Sequence, residues 1–416
     1  MAEFLNPFGS VLLILAGICV LIAFLKENLK PTTTKNNSKK SHRTQLPTTS
    51  HKINYKVWIR VGILAIALRW WIYLFSFSLL DTDQSFWEVI GKIFSVSGDS
   101  PHYLYLAEHG YTAVGDKANL IVFYPLYPLL IKIFNVVFND YFISGVVVSN
   151  LAFALASCVF YELLRLDYQK ENAFGGLLLM MIAPFSMFYC AIFTESVFLL
   201  TTVLCLYFMR IKKPMWMGIC GFLACLSRTQ GIILFVCALV PVASSLLKEK
   251  KFNLKEFLWA LLIPLGFFVY LLMNQILFGN WFQYLEFQAA PPWYNKAQWF
   301  GETLTYSYNM AKAYPGLAKF IYHPQLILFF AGTLSIFWGI YKKVRTEYLV
   351  YLGAYIVTCY THGWLISGSR YMCACLPLFI VYSSVKNKYI RYAILVISFM
   401  FCIMYTRLWL NGESIM

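Results

Sequence analysis

Repeated apolar runs decide what this chain can fold into. Stretches such as Val57 to Leu80 and Phe257 to Phe278 belong to a series of runs about 15 to 23 residues long, the length a helix needs to cross a hydrocarbon core of roughly 30 Å. Only 13% of the 416 residues are charged, about half the share found in soluble domains. An ordinary soluble protein is therefore excluded. The fold class is thus an all-α polytopic membrane protein. Spans are expected at about residues 7–25, 57–80, 142–164, 172–192, 196–210, 215–227, 231–247, 256–278, 322–341, 347–366, 371–385 and 392–410.

Pro7 to Leu25 lacks a preceding basic region and a following small-residue cleavage pattern, so it reads as an anchor helix rather than a cleaved signal. Residues 26–56, "KENLKPTTTKNNSKKSHRTQLPTTSHKINYK", are too poor in apolar side chains to offset their ordering entropy and read as a disordered basic linker. Residues 57–416 then form one transmembrane domain. The net charge of +15 raises the question of nucleic acid, but no soluble module with a basic face interleaved with aromatics is present, so no nucleic-acid partner is expected. Counting lysine and arginine instead reveals topology. With the linker cytoplasmic, residues 26–60 and the connections "RLDYQK", "RIKKP", "KEKKFNLK", "KKVR" and "KNKYIR" collect 24 of the 34 basic residues on one side, as the positive-inside rule requires. The two longest connections, about 81–141 and 279–321, then face outward, and connections of that length usually carry function. Within the first, residues 120–138 are apolar and aromatic but hold Pro125, Pro128 and Lys132, and read as a helix in the outer interface. The eleven cysteines fall mostly within spans and lack zinc-ligand spacing. They read as small apolar side chains.

The chemistry-bearing stretch is "SVSGDSPHYLYLAEHGY", residues 95–111. Ser100 and Pro101 are a helix start and Gly110 a helix stop, so a short surface helix is expected over 101–109 with Asp99 at its positive end. An ionised carboxylate at an apolar boundary can act as a general base, or it can simply share the capping. His102 and His109 lie seven apart on one helical face, a spacing that favours interfacial or phosphate contacts over a metal pair. Asp81, Asp83 and Glu88 read as solvated loop acids. Glu195 in "CAIFTESVFLL" lies in apolar surroundings, where a carboxylate is costly; it faces the interior or a cavity, or else closes a tight turn with Thr194. Arg228 in "CLSRTQG" and Arg370 in "SGSRYMCACLPLF" need partners or water, and a guanidinium suits a phosphate. A base at Asp99 requires Asp99, Glu195 and Arg370 to converge on one cavity.

In order along residues 60–385, "GDSPHYLYLAEHGY", "VFYPLYPLLIK", "FYCAIFTESVFLL", "CLSRTQGIIL" and "SGSRYMCACLPLFI" resemble the segments of the PIG-V type integral-membrane mannosyltransferases (GPI mannosyltransferase 2 and bacterial relatives), within the GT-C glycosyltransferase class. The resemblance implies a polyprenyl-phosphate sugar donor, a glycan or glycolipid acceptor, and an inverting transfer at the outer face with Asp99 as catalytic base. It also implies no metal or other cofactor. Arg370, with Arg228, would stabilise the leaving phosphate, and Glu195, His102, His109, Tyr111 and Tyr124 would complete the substrate-binding set. The family's loop motif opens with Trp-Asp, whereas Gly98-Asp99 stands here. The one Asn-x-Ser/Thr sequon, at Asn36, lies in the basic linker, and Ile415-Met416 carries no ER-retention signal. Both fit a bacterial cell membrane and an envelope acceptor better than GPI. The rival class is a transporter or flippase of lipid-linked sugars, which would show paired repeats and mid-membrane charges; a catalytically silent scaffold is a third reading.

Overall fold

The computed structural model describes residues 2–29 and 54–415, so the greater part of the basic linker lies outside the described residues. Helix α1 (Ala2–Asn28) extends past the expected anchor and takes Lys26–Asn28 from the linker. The Asn28 amide donates to the Phe24 carbonyl (2.6 Å), and Ser244 donates to Asn28, which carries the helix that far. The helix also packs along the bundle. A Cβ at Gly301 would collide with Asn6 and Ser10, and Trp299 Nε1 donates to Ser10 Oγ (2.7 Å), so α1 lies directly on the second long connection. Helix α2 (Tyr55–Phe77) begins two residues inside the expected linker because Asn54 caps it, accepting from the Lys56 amide (3.1 Å).

The first long connection is mostly helical. Helix α3 (Phe86–Val96) starts at a capping box in which Ser85 and Glu88 satisfy each other's amides, so Glu88 has a task beyond solvation. Helix α4 (Ser100–His109) follows. The expected interfacial helix over 120–138 is two pieces: a 3₁₀ turn at Ala118–Val122 and α5 (Leu126–Phe138). Phe123 adopts an extended conformation two residues before Pro125, which separates them. Helix α5 seats Tyr127 and Ile131 on the bundle while Leu129, Ile133, Val136 and Val137 stay exposed, and its 13 residues are too short to span.

Helices α6 (Tyr141–Asp167), α7 (Lys170–Met181), α8 (Glu195–Arg210) and α9 (Pro214–Ser227) come next. They are followed by α10 (Ile233–Glu249), α11 (Leu254–Ala260), α12 (Leu262–Phe278), α13 (Gln283–Ala289) and α14 (Phe300–Ala313). A turn, α15 (Pro315–Leu317), leads to α16 (His323–Tyr341), α17 (Thr346–Tyr360), α18 (Gly368–Cys373), α19 (Leu376–Tyr382) and α20 (Lys388–Leu410). Among the described residues, seven helical stretches are long and apolar enough to cross a membrane: 4–28, 55–77, 141–167, 229–249, 254–278, 315–341 and 388–410. The chain is a multi-pass, all-α membrane protein.

Twelve spans were expected, and the other five are shorter. Helices α7, α8, α9, α17 and α19 hold 12, 16, 14, 15 and 7 residues. Each is broken at a specific place: the segment 182–193 containing Pro184, extended Arg228, the loop 361–367, and the Ala374-Cys375 step before Pro377. Irregular backbone at membrane depth survives only where protein buries it, and residues 185–199 are all buried. Their polar groups are taken up from the side. Arg69 of α2 donates to Ser186 Oγ (2.5 Å) and to the Met181 carbonyl, Tyr73 to the Met187 carbonyl, Asn150 to the Cys190 carbonyl (3.2 Å) and Ser100 to the Ile192 carbonyl (3.2 Å).

The contacts also sort the two ends of the bundle. Trp58 donates to Glu162 (3.1 Å), Lys248 pairs with Glu27 (3.7 Å), Arg391 donates to Asn172, and Arg210 pairs with Asp167 (2.8 Å). Each of these contacts joins two of the basic segments or their flanks. At the other end of the bundle, Trp409 donates to Ser97 (2.9 Å), Trp299 to Ser10, and Ser100 to Ile192.

Candidate functional site

At this second end, the local sequence places Asp99 differently from the simple capping pattern. Asp99 occupies the N-cap position of α4 with a helical backbone (φ −83°, ψ −12°), and its side chain caps nothing. Ser100 is already inside the helix, with its hydroxyl committed to Ile192. Gly110 closes the helix at φ 79°, a value that a side chain would strain. The Asp99 carboxylate is consequently free to turn inward, where Oδ2 meets Arg370 Nη2 at 2.7 Å.

Arg370 lies in the six-residue α18, reached from α17 through the loop 361–367. Its Nε is 3.2 Å from Glu195 Oε1, and the same oxygen accepts from Arg228 Nη1 at 2.6 Å. The four residues therefore form one chain, Asp99 to Arg370 to Glu195 to Arg228. The polypeptide favours each charge where it sits. Asp99 and Glu195 occupy the positive N-terminal ends of α4 and α8, and Arg228 caps the negative C-terminal end of α9. Aromatic faces complete the cradle: the Arg370 guanidinium lies 5.2 Å from the Phe193 ring centre and 5.7 Å from Phe188, and Tyr371 lies 5.4 Å from Arg370 and 5.0 Å from Arg228. Access runs along the chain as a gradient. The side chains of Glu195, Arg370 and Arg228 are 1%, 7% and 8% exposed, and that of Asp99 25%.

His102 sits one turn beyond Asp99 with its ring on Phe123, 5.0 Å between centres. Burial lowers its pKa against the opposing pull of Asp99. His109 lies at the far end of α4, stacked on Tyr105 (4.5 Å) and beside Glu108, and the structure does not bring it to the charged chain. The Tyr111 hydroxyl donates to the Phe123 carbonyl (2.8 Å), bracing the turn before Pro125. Tyr124 stacks on Tyr270 (4.1 Å) and bonds Thr229 (2.9 Å), the residue after Arg228. Both tyrosines hold the walls of the site.

Sequence reasoning missed His362, Tyr371 and the strap from the second long connection. Asn295 bonds His362 Nδ1 (3.2 Å), the Gly363 amide donates to the Lys296 carbonyl (2.7 Å), and Thr303 donates to the His362 carbonyl (3.0 Å). This fastens the loop that delivers Arg370. Burial, then the neighbouring Arg228, push the His362 imidazole down to about 4, so it is neutral at physiological pH. Nothing local in "THGWL" signals this; it depends on residues nearly 70 positions away.

Comparison with protein-family models and with curated proteins gives no match. Solved structures do resemble this chain. The archaeal oligosaccharyltransferase AglB from Archaeoglobus fulgidus, in complex with an inhibitory peptide and a dolichol-phosphate, aligns over 87% of this chain and 56% of its own, at 12% identity and a TM-score of 0.43. The Archaeoglobus fulgidus oligosaccharyltransferase tethered to an acceptor peptide containing the NVT sequon aligns over the same shares at 15% identity and a TM-score of 0.42. This chain spans a little over half the length of those chains. Similarity at that level assigns neither activity nor ligand to it.

Proposed function

We propose that this protein transfers a sugar from a polyprenyl-phosphate donor to a hydroxyl of a glycan or glycolipid. The observation that carries the reading is the accessible Asp99 carboxylate 2.7 Å from the buried, Glu195-anchored Arg370. It sets a base and an anion-accepting guanidinium side by side. Asp99 takes the proton from the acceptor hydroxyl as its oxygen bonds the anomeric carbon. The bond from that carbon to the phosphate oxygen breaks on the opposite face, so the configuration inverts. The electron pair leaves with the lipid phosphate, whose growing negative charge falls to Arg370 while Asp99 becomes neutral. We place the site on the extracytoplasmic face, because Glu195 and Arg210 stand at opposite ends of α8 and the basic connections read as cytoplasmic by the positive-inside rule. The five ordered motifs support membership of the PIG-V type GT-C enzymes, and with it mannose as the sugar and a cell-envelope acceptor. No cofactor enters the reaction as proposed.

The test is purified protein offered polyprenyl-phosphate sugars, mannosyl first, with membrane acceptors. Asp99→Asn is expected to lower transfer by about 10² to 10⁴. Equal transfer by the two proteins would remove Asp99 as base. Donor movement across reconstituted vesicles without any transfer would replace the enzyme with a transporter.

A further inference from the structure

Glu195 is fully buried, and two guanidiniums converge on its single oxygen Oε1. Its second oxygen, Oε2, accepts no hydrogen bond among the described residues. A carboxylate present only to be satisfied would use both oxygens, because an unmade bond to a buried charged group is costly. Here hydrogen bonding is sacrificed to place one negative charge between two arginines. The two carboxylates and two guanidiniums sum to zero, so the four residues together offer an incoming anion no net charge. We infer that Glu195 is a positioning residue that moderates the grip of Arg228 and Arg370 on the donor's phosphate. It fixes both guanidiniums by their inner edges and offsets their charge, leaving Arg370 able to pass from Asp99 to the phosphate and back. The inference rests on the proposed transfer reaction. It also runs against ordinary expectation for a buried ion-pair residue: removing the charge of Glu195 should tighten phosphate binding. The product phosphate carries more negative charge than the donor and would be held still harder, so release would slow.

The test measures binding of farnesyl phosphate, with farnesol as the uncharged control, to wild-type protein and Glu195→Gln. Unit charges separated by one guanidinium in partly polar surroundings interact strongly enough for a tenfold effect. Glu195→Gln is expected to bind farnesyl phosphate about tenfold tighter, to bind farnesol as wild type does, and to show both KM for the donor and kcat about tenfold lower. A purely structural glutamate would give weaker binding and a higher KM; either result, or an equal gain for farnesol, overturns the role. If Glu195→Gln does not fold, Glu195→Asp serves, since its shorter side chain withdraws the carboxylate from at least one arginine. A gain of about threefold is then expected, and unchanged affinity overturns the role. Failure of wild type to bind farnesyl phosphate or to transfer any sugar would overturn the transfer reaction and this inference together. Wild-type binding and transfer with no gain in the variants overturns the inference alone.

Discussion

The bundle carries two layers of opposite charges, one at each end of α8, and they are wired differently. At the basic end, Arg210 closes on Asp167 through Nη2 (2.8 Å) and Nε (3.3 Å), and Arg345 closes on Glu347 two residues away. Each charge there has its own partner. At the other end, Glu195 is shared by two arginines, and the terminal member, Asp99, is half-buried with one side reaching the surface. A closed pair fastens helices. An open-ended chain can exchange its last partner for a substrate. Similar residue types thus form closed pairs at one end and an open-ended chain at the other, and on the proposed function that difference in connectivity separates architecture from chemistry.

The largest effects should separate the two layers. Asp167→Asn leaves a buried guanidinium without its carboxylate and is expected to cost about 2 to 4 kcal/mol in thermal unfolding, with transfer by the folded fraction unchanged within about twofold. Asp99→Asn should show the reverse. An Asp167→Asn protein that unfolds like wild type but loses transfer would erase the distinction. Lysine substitutions sharpen it. Arg370→Lys removes the fork that bridges two carboxylates and should lose about 10- to 100-fold in transfer. Arg210→Lys, facing one carboxylate oxygen, keeps a cation beside Asp167 and should cost less stability than Asp167→Asn, with transfer by the folded fraction unchanged. A pH-dependent effect concerns the strap. His362 is held below its unfolded pKa of about 6.5, so the unfolded chain binds its proton first as pH falls. The stability it contributes is complete above pH 6.5 and declines towards pH 4. Unfolding midpoints of wild type should fall over that window by the equivalent of about 1 to 3 kcal/mol relative to His362→Gln, and parallel pH profiles would contradict it.

The helical membrane class was legible because apolar run length and the distribution of lysine and arginine depend on local sequence alone. So was the start of α4, where Ser100-Pro101 and Gly110 mark a helix without reference to anything distant. Span number was less legible. The run from 172 to 192 is apolar throughout, yet its second half is unwound, held open by Arg69, Tyr73 and Asn150 from helices that the run itself does not encode. Arg69 was a readable clue, since an arginine amid "IALRWWIY" must find partners inside the membrane. Within the site, Asp99, Glu195, Arg228 and Arg370 stood out as charges in apolar sequence, and the structure brings all four together. Their order of connection, the orphaned oxygen of Glu195 and the fastening of His362 did not stand out, because each is set by side-chain geometry across three or more elements.

The length of α8 bears on the surrounding lipid. With Glu195 and Arg210 as its first and last residues, the helix rises only roughly 24 Å, against a hydrocarbon thickness of about 30 Å. The two charged layers therefore stand closer together than the two water interfaces of an undisturbed bilayer. None of the residues of α8 is exposed, so protein rather than lipid makes up the difference, and the bilayer meets the longer helices around it, such as 141–167 and 254–278. The short helix lets the bundle keep both charged layers inside the hydrocarbon level without presenting either to lipid.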